Sequence, residues 1–224
     1  MPHNLIRMSL RSRDPTPCGD ASSSFWEDAA DGDGSDASAV EPADEVEALW
    51  MKRLAVVLDA PGENASDACM ILPYLWLGGR VAAEDVLYEN GRGITDLCNA
   101  SEPWCATGPN SENIHYVGVG GRDRDGFPIL DAASYGTIRT YVAAARRERP
   151  EAVFLFHCDR GINRSAAIAA AWLMDEENMT LIEAARLLKD NRRCVLGNVG
   201  FRLALVRHAR RADKLGGADD NDDT

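Results

Sequence analysis

Residues 153–167 read VFLFHCDRGINRSAA. An unbroken apolar run of this kind, EAVFLFHC from Glu151 to Cys158, suits a strand buried on both faces of a parallel sheet. The polar turn DRGINR follows, with Gly161 inside it, and SAAIAAAWLMDEEN (165–178) then has the composition of a helix. A strand, a tight glycine-containing loop and a helix start turn a run of backbone N–H groups and the positive end of a helix dipole toward one point, which is a cradle for an anion.

Working outward, VEALWMKRLAVVL after Glu45 has apolar residues at helical spacing and predicts a helix that leads into the domain. MILPYLWLGG reads as strand and turn, RVAAEDVLYENG as a short helix stopped by Gly91, and GITDLCNAS and IHYVGVGG as strands, the second ending in the polar loop RDRDGFPIL. Asp131 is placed to cap AASYGTIRTYVAAARRER, which Pro150 ends, and TLIEAARLLKDN and FRLALVRHARRA are amphipathic. Strands alternating with helices predict an α/β domain with a central, mostly parallel sheet flanked by helices.

The loop carries the chemistry. The field that binds an anion also stabilises a thiolate at Cys158. Arg164 offers a planar fork of donors to two phosphate oxygens, a task lysine performs poorly. Ser165 brings a hydroxyl within reach of the sulfur, which makes the sulfur a better leaving group. The pattern implies attack by Cys158 on phosphorus, a cysteinyl-phosphate and its hydrolysis, without a metal or other cofactor. Phosphate binding is expected from Asp159, Arg160, Gly161, Ile162, Asn163 and Arg164.

The segment HCDRGINRSA resembles the HCxxGxxRS signature of protein tyrosine phosphatases, in particular the dual-specificity branch of that cysteine-dependent superfamily. ILPYLWLGG is similar to the family's opening strand and turn, GITDLCNAS to its next strand, and NRRCVLGNVGF to its Asn-x-Gly-Phe segment, so the resemblance runs from about Met70 to Arg211. The resemblance implies a general acid about seven residues after the tyrosine of the preceding strand. Counting from Tyr116 gives Asp123, with Asp125 as the alternative. It also implies that His157 tunes the cysteine, and Phe127 either covers the edge of the site or simply packs. The shortness of the domain, 45–212, and the lack of a phosphotyrosine-recognition segment point to a shallow site open to phosphoserine and phosphothreonine as well as phosphotyrosine, in an atypical, stand-alone member.

Two residues depart from many kinase-directed members, Arg160 before the loop glycine and Asn163 before the arginine. An added cation suits strongly anionic substrates, and Asn163 resembles the loop of RNA 5′-phosphatases, so RNA 5′-phosphates and phosphoinositides stand as alternative substrates. The bland readings are that Arg160 pairs with Asp159 or another loop carboxylate and that Asn163 makes a backbone hydrogen bond. A phosphate-binding adaptor without turnover is a third reading, against which stand Cys158, Arg164 and Asp123 together. Cys98 in TDLCNA resembles a strand cysteine that serves as redox partner in a lipid phosphatase of the superfamily, or else it is a core residue. LIRMSLRSR imitates a kinase-docking peptide, and the expected partner is a phosphoprotein, a protein kinase among the candidates.

The formal charge of −12 is not spread along the chain. Ten Asp or Glu and no Lys or Arg lie between Asp14 and Glu45, and five acids and one lysine follow from Asp213, whereas residues 46–212 hold 21 acids and 20 bases. Residues 1–44 and 213–224 are polar, acidic and without apolar periodicity, and are expected to be disordered tails around a catalytic domain at 45–212. The acidic stretch from Asp14 holds one Phe-Trp pair, Phe25-Trp26, as a place for a binding motif, or else it is part of a solvated tail. The six cysteines have no metal-ligand spacing. With no apolar run long enough to span a bilayer and no secretory leader, a soluble protein of the cytoplasm or nucleus with reduced thiols is expected.

Overall fold

A computed structural model describes residues 40–62, 67–88, 90–103 and 113–216. The first helix, α1 (Glu45–Leu58), starts where the Asp44 carboxylate accepts the Glu47 N–H, and it buries Trp50, Leu54 and Leu58. MILPYLWLGG becomes a hairpin of β1 (Ala68–Leu72) and β2 (Leu75–Gly78), which pair antiparallel around Pro73-Tyr74. The short helix α2 (Arg80–Tyr88) follows at once. Its end is made by Asn90 rather than by the expected Gly91. Asn90 has φ 37°, and its side-chain amide both donates to Ile94 O and accepts from Ile94 N. Asparagine tolerates this left-handed conformation because its side chain replaces the missing backbone bonds.

Next come β3 (Asp96–Glu102) and β4 (His115–Gly120). Asp131 accepts the Ser134 N–H and opens one π turn, Ala132–Gly136, that runs into α3 (Thr137–Glu148). The remaining elements are β5 (Phe154–His157), α4 (Arg164–Glu176), α5 (Leu181–Asn191) and α6 (Val199–Arg211). A capping box between Thr180 and Glu183 starts α5, and Asn198 caps α6.

The sheet order is β1-β2-β5-β3-β4, with every pairing except β1–β2 parallel. Strand β5 is central and buried along its whole length, as its apolar run requires. Its side chains alternate between two layers. Leu155 joins Leu97 and Trp76 under α2, while Phe154, Phe156 and Cys158 enter the larger core with α1, α3, α4, α5 and α6. Helix α4 buries nearly every residue, which its alanines allow by bringing backbone close to the sheet. Because β5, β3 and β4 are parallel, their C-terminal ends emerge on one edge, and the loops after β5 and β4 meet there.

Candidate active site

Cys158 leaves β5 with only 1% of its surface exposed. Its Sγ accepts the Gly161 N–H at 3.2 Å and the Ser165 hydroxyl at 3.3 Å. The loop carbonyls face away from the sulfur. Asp159 O accepts from Arg80 N (2.9 Å), Arg160 O from the Arg192 guanidinium (3.4 Å) and Ile162 O from Leu196 N (2.8 Å). In a trans peptide the C=O and the following N–H point in opposite directions, so carbonyls tied outward aim the amides of Arg160, Gly161 and Asn163 inward. Gly161 is left-handed (φ +66°) and packs so closely on Gly78 that a Cβ would overlap the Gly78 backbone. The two glycines ending MILPYLWLGG are therefore the surface on which the loop is moulded.

Asn163 occupies the N-cap position of α4 and does not cap it. Its Oδ1 accepts the Asn198 N–H (3.0 Å), and its Nδ2 donates to both carboxylate oxygens of Asp123 (3.0 and 3.1 Å). The first-turn amides of α4 are thus not satisfied by their own cap, which is the arrangement in which a helix start receives an anion. Neither bland expectation for the unusual loop residues holds unchanged. Asn163 bonds a backbone amide as expected but also a carboxylate, and exposed Arg160 forms no ion pair with Asp159 or any other described residue.

Arg164 is 8% exposed. Its Nη1 donates to Gly121 O at the end of β4 (3.1 Å), while Nε makes no hydrogen bond and lies 3.8 Å from Asp123 Oδ2. Asp123 also accepts from Asn198 Nδ2 at 3.2 Å. Its carboxylate is thereby suspended over the cradle between Asn163, Asn198 and Arg164. Asp125, two residues on, accepts Gly200 N at 3.0 Å and pins the loop to the start of α6. Phe127 packs against the main core.

His157 is fully buried. Burial pulls its pKa down to about 4 against a backbone hydrogen bond at Cys158 that raises it, so the ring is neutral at neutral pH. Cys98 lies in β3 opposite Phe156, in the same buried cluster as Cys158, and is not one of the two groups hydrogen-bonded to Cys158 Sγ. Burial, with Asp96 adding to it, pushes its thiol well above the ordinary range. Cys69, Cys98 and Cys158 are free thiols, as expected, whereas Cys194 is disulfide-bonded, against the expectation of reduced thiols. The segment LIRMSLRSR and Phe25-Trp26 also lie outside them. Missed from the sequence were the joint hold of Asn163 and Asn198 on the Asp123 carboxylate and the part of Arg192 behind the loop. The Asn-x-Gly-Phe motif marked Asn198 without revealing what its side chain grips.

Residues 75–211 match the model of the dual specificity phosphatase catalytic domain. The chain belongs to this family. It is 32% identical to human dual specificity protein phosphatase 26 over 144 residues, 63% of this chain and 66% of the relative. With human dual specificity protein phosphatase 13B it shares 31% over 159 residues, 68% and 74% of the two chains. The chain thus spans a little under two thirds of the length of the first of these relatives. Among solved structures, human DUSP28 aligns with a TM-score of 0.53 and 23% identity over 69% of this chain and 99% of that one. OH1 from the Orf virus, a tyrosine phosphatase, aligns with a TM-score of 0.60 and 19% identity over 74% and 98%. The expected fold, an α/β domain with a mostly parallel sheet, is that of these proteins.

Proposed function

We propose that the protein hydrolyses phosphotyrosine and phosphoserine or phosphothreonine in phosphoproteins. The observation that carries this reading is the meeting of Cys158 Sγ, the Arg164 guanidinium and the Asp123 carboxylate at one cradle of inward amides. The phosphate sits on the amides of residues 159–164 and the Arg164 fork, and the Cys158 thiolate attacks phosphorus. Asp123, in its protonated form, gives its proton to the leaving oxygen as the P–O bond breaks. The resulting aspartate takes a proton from water, which attacks the cysteinyl-phosphate and releases inorganic phosphate and the thiolate, with Ser165 Oγ–H stabilising the departing sulfur. His157, neutral, orients the cysteine and moves no proton.

Asn163, once a pointer to RNA 5′-phosphates, has an account here that needs no RNA, since it holds the acid. Exposed Arg160 adds a cation at the rim and favours phosphopeptides with further negative charge, for which a phosphorylated protein kinase is the partner to test first. Cysteine chemistry needs Cys158 reduced, as it is here, and this supports action in the cytoplasm or nucleus in spite of the disulfide at Cys194.

The test is hydrolysis, in EDTA, of a panel of phosphotyrosyl and phosphothreonyl peptides, phosphoinositides and 5′-triphosphorylated RNA by the parent and by Cys158→Ser. Both kinds of peptide should be turned over, with the serine variant at background while still binding substrate. Substantial turnover by Cys158→Ser would refute the nucleophile, loss of activity in EDTA the metal-free mechanism, and a marked preference for lipid or RNA the substrate class. Binding without turnover by the parent would leave an adaptor.

A further inference from the structure

Arg192 follows the last residue of α5 and is only 6% exposed. Its Nη1 donates to Asp67 O (2.9 Å) and Leu77 O (3.3 Å), its Nη2 to Arg160 O (3.4 Å), and its buried Nε to no atom of the described residues. All three acceptors are backbone carbonyls, and no carboxylate of the described residues forms an ion pair with it. Cys69, which packs against the guanidinium, has its thiol pKa raised by burial in spite of that cation, and so supplies no counter-charge at neutral pH. A guanidinium buried without an anion leaves net positive charge in a medium that screens it poorly.

The place of this charge is informative. Asp67 O and Leu77 O lie on the hairpin whose Gly78-Gly79 end backs the phosphate loop. Arg160 O belongs to the peptide whose N–H, that of Gly161, points at Cys158 Sγ. Arg192 and the catalytic sulfur therefore occupy the two ends of one peptide unit, and hydrogen bonds joined through a peptide polarise one another.

We infer that Arg192 is a positioning residue for the Cys158 thiolate and the bound phosphate, acting through the Arg160–Gly161 peptide. It fixes that peptide's plane so that the amide faces the sulfur, and its charge stands behind the cradle to favour negative charge in front. This rests on Cys158 and its loop being the catalytic centre.

The experiment measures the pH dependence of Cys158 alkylation by iodoacetate and the Ki of inorganic phosphate, in the parent, Arg192→Met and Arg192→Lys, with folding checked by circular dichroism and thermal melting. Arg192→Met should move the alkylation midpoint upward by about one pH unit and weaken phosphate about tenfold. Arg192→Lys, which keeps the charge and gives up the fork, should shift both by less. A folded Arg192→Met with both values within about twofold of the parent would overturn the inference. Should that variant not fold, Arg192→Lys decides on the same readouts: displaced values support the fork, parental values overturn it, and failure of both variants to fold overturns it too, by making Arg192 a requirement of the fold. An inactive parent would count instead against the phosphatase reading, which turnover reports separately from alkylation.

Discussion

Asp123 and Asp125 are two residues apart in one loop, yet their surroundings divide their work. The Asp123 carboxylate is gripped by Asn163, Asn198 and the Arg164 guanidinium above the cradle, whereas Asp125 accepts a backbone amide of α6. Asp123→Asn should therefore cut kcat by about 10²–10⁴-fold for an alkyl phosphate and much less for 4-nitrophenyl phosphate, whose leaving group needs little protonation. Asp125→Ala should cost about 1 kcal/mol of stability and leave the ratio between the two substrates unchanged. The reverse pattern in steady-state kinetics would exchange the roles. His157 supplies a second residue-level expectation. Its folded pKa, about 4, lies below its ordinary value of 6.5, so folding favours the neutral ring. That contribution is complete above about pH 6.5 and is lost as pH falls toward 4, about 3 kcal/mol across the window. Melting curves from pH 7.5 to 4.5 should fall more steeply for the parent than for His157→Gln, and equal slopes would contradict a buried neutral histidine.

At the level of elements, the site is an agreement between two loops and the start of α6. Leu196, just ahead of α6, is held in the left-handed region (φ 54°), its N–H on Ile162 O and its own carbonyl accepting from Arg202 Nε. Strain of this kind persists only where surrounding bonds over-determine it. Gly200 is a point of tight contact between α6 and the loop of Asp123 and Asp125, since a Cβ there would lie 2.8 Å from Asp125 Cα. Gly200→Ala should push the loop off the helix, moving Asp123 by a fraction of an ångström to an ångström, for a loss of about 10²-fold in kcat with the phosphate Ki little changed. Loss of phosphate affinity instead would mean that the substitution disturbs the cradle.

At the level of the whole molecule, the charge of −12 belongs mostly to segments beyond a nearly neutral domain. The described end of the arm is attached to that domain. Asp44 caps α1 and pairs with Arg210, Arg207 pairs with Glu47 and donates to Glu41 O, and Val40 lies beside Gly126 of the acid loop. We propose residues 45–212 as the catalytic domain, with residues 40–44 fastening the arm to it. Deleting 1–39 should leave the melting temperature unchanged, whereas deleting 1–44 should lower it. Removal of the acidic arm should also lower the apparent KM for a phosphopeptide at low ionic strength, an effect that added salt erases. An unchanged KM at low salt would show that the arm does not compete for the cradle.

What the sequence determined by itself was local. The strand, the loop and the helix of VFLFHCDRGINRSAA lie within 15 consecutive residues, so their geometry could be read from periodicity, one glycine and one helix start, and with it the cysteine and the arginine we propose as nucleophile and phosphate ligand. The parallel sheet followed from the same alternation of strands and helices. Only the tertiary structure decided which aspartate hangs over the cradle, because its holders Asn163 and Asn198 are 40 and 75 residues away along the chain. The same is true of Arg192, 32 residues from the carbonyl it grips. Contacts across such separations depend on how whole elements pack, and no periodicity in the sequence records them.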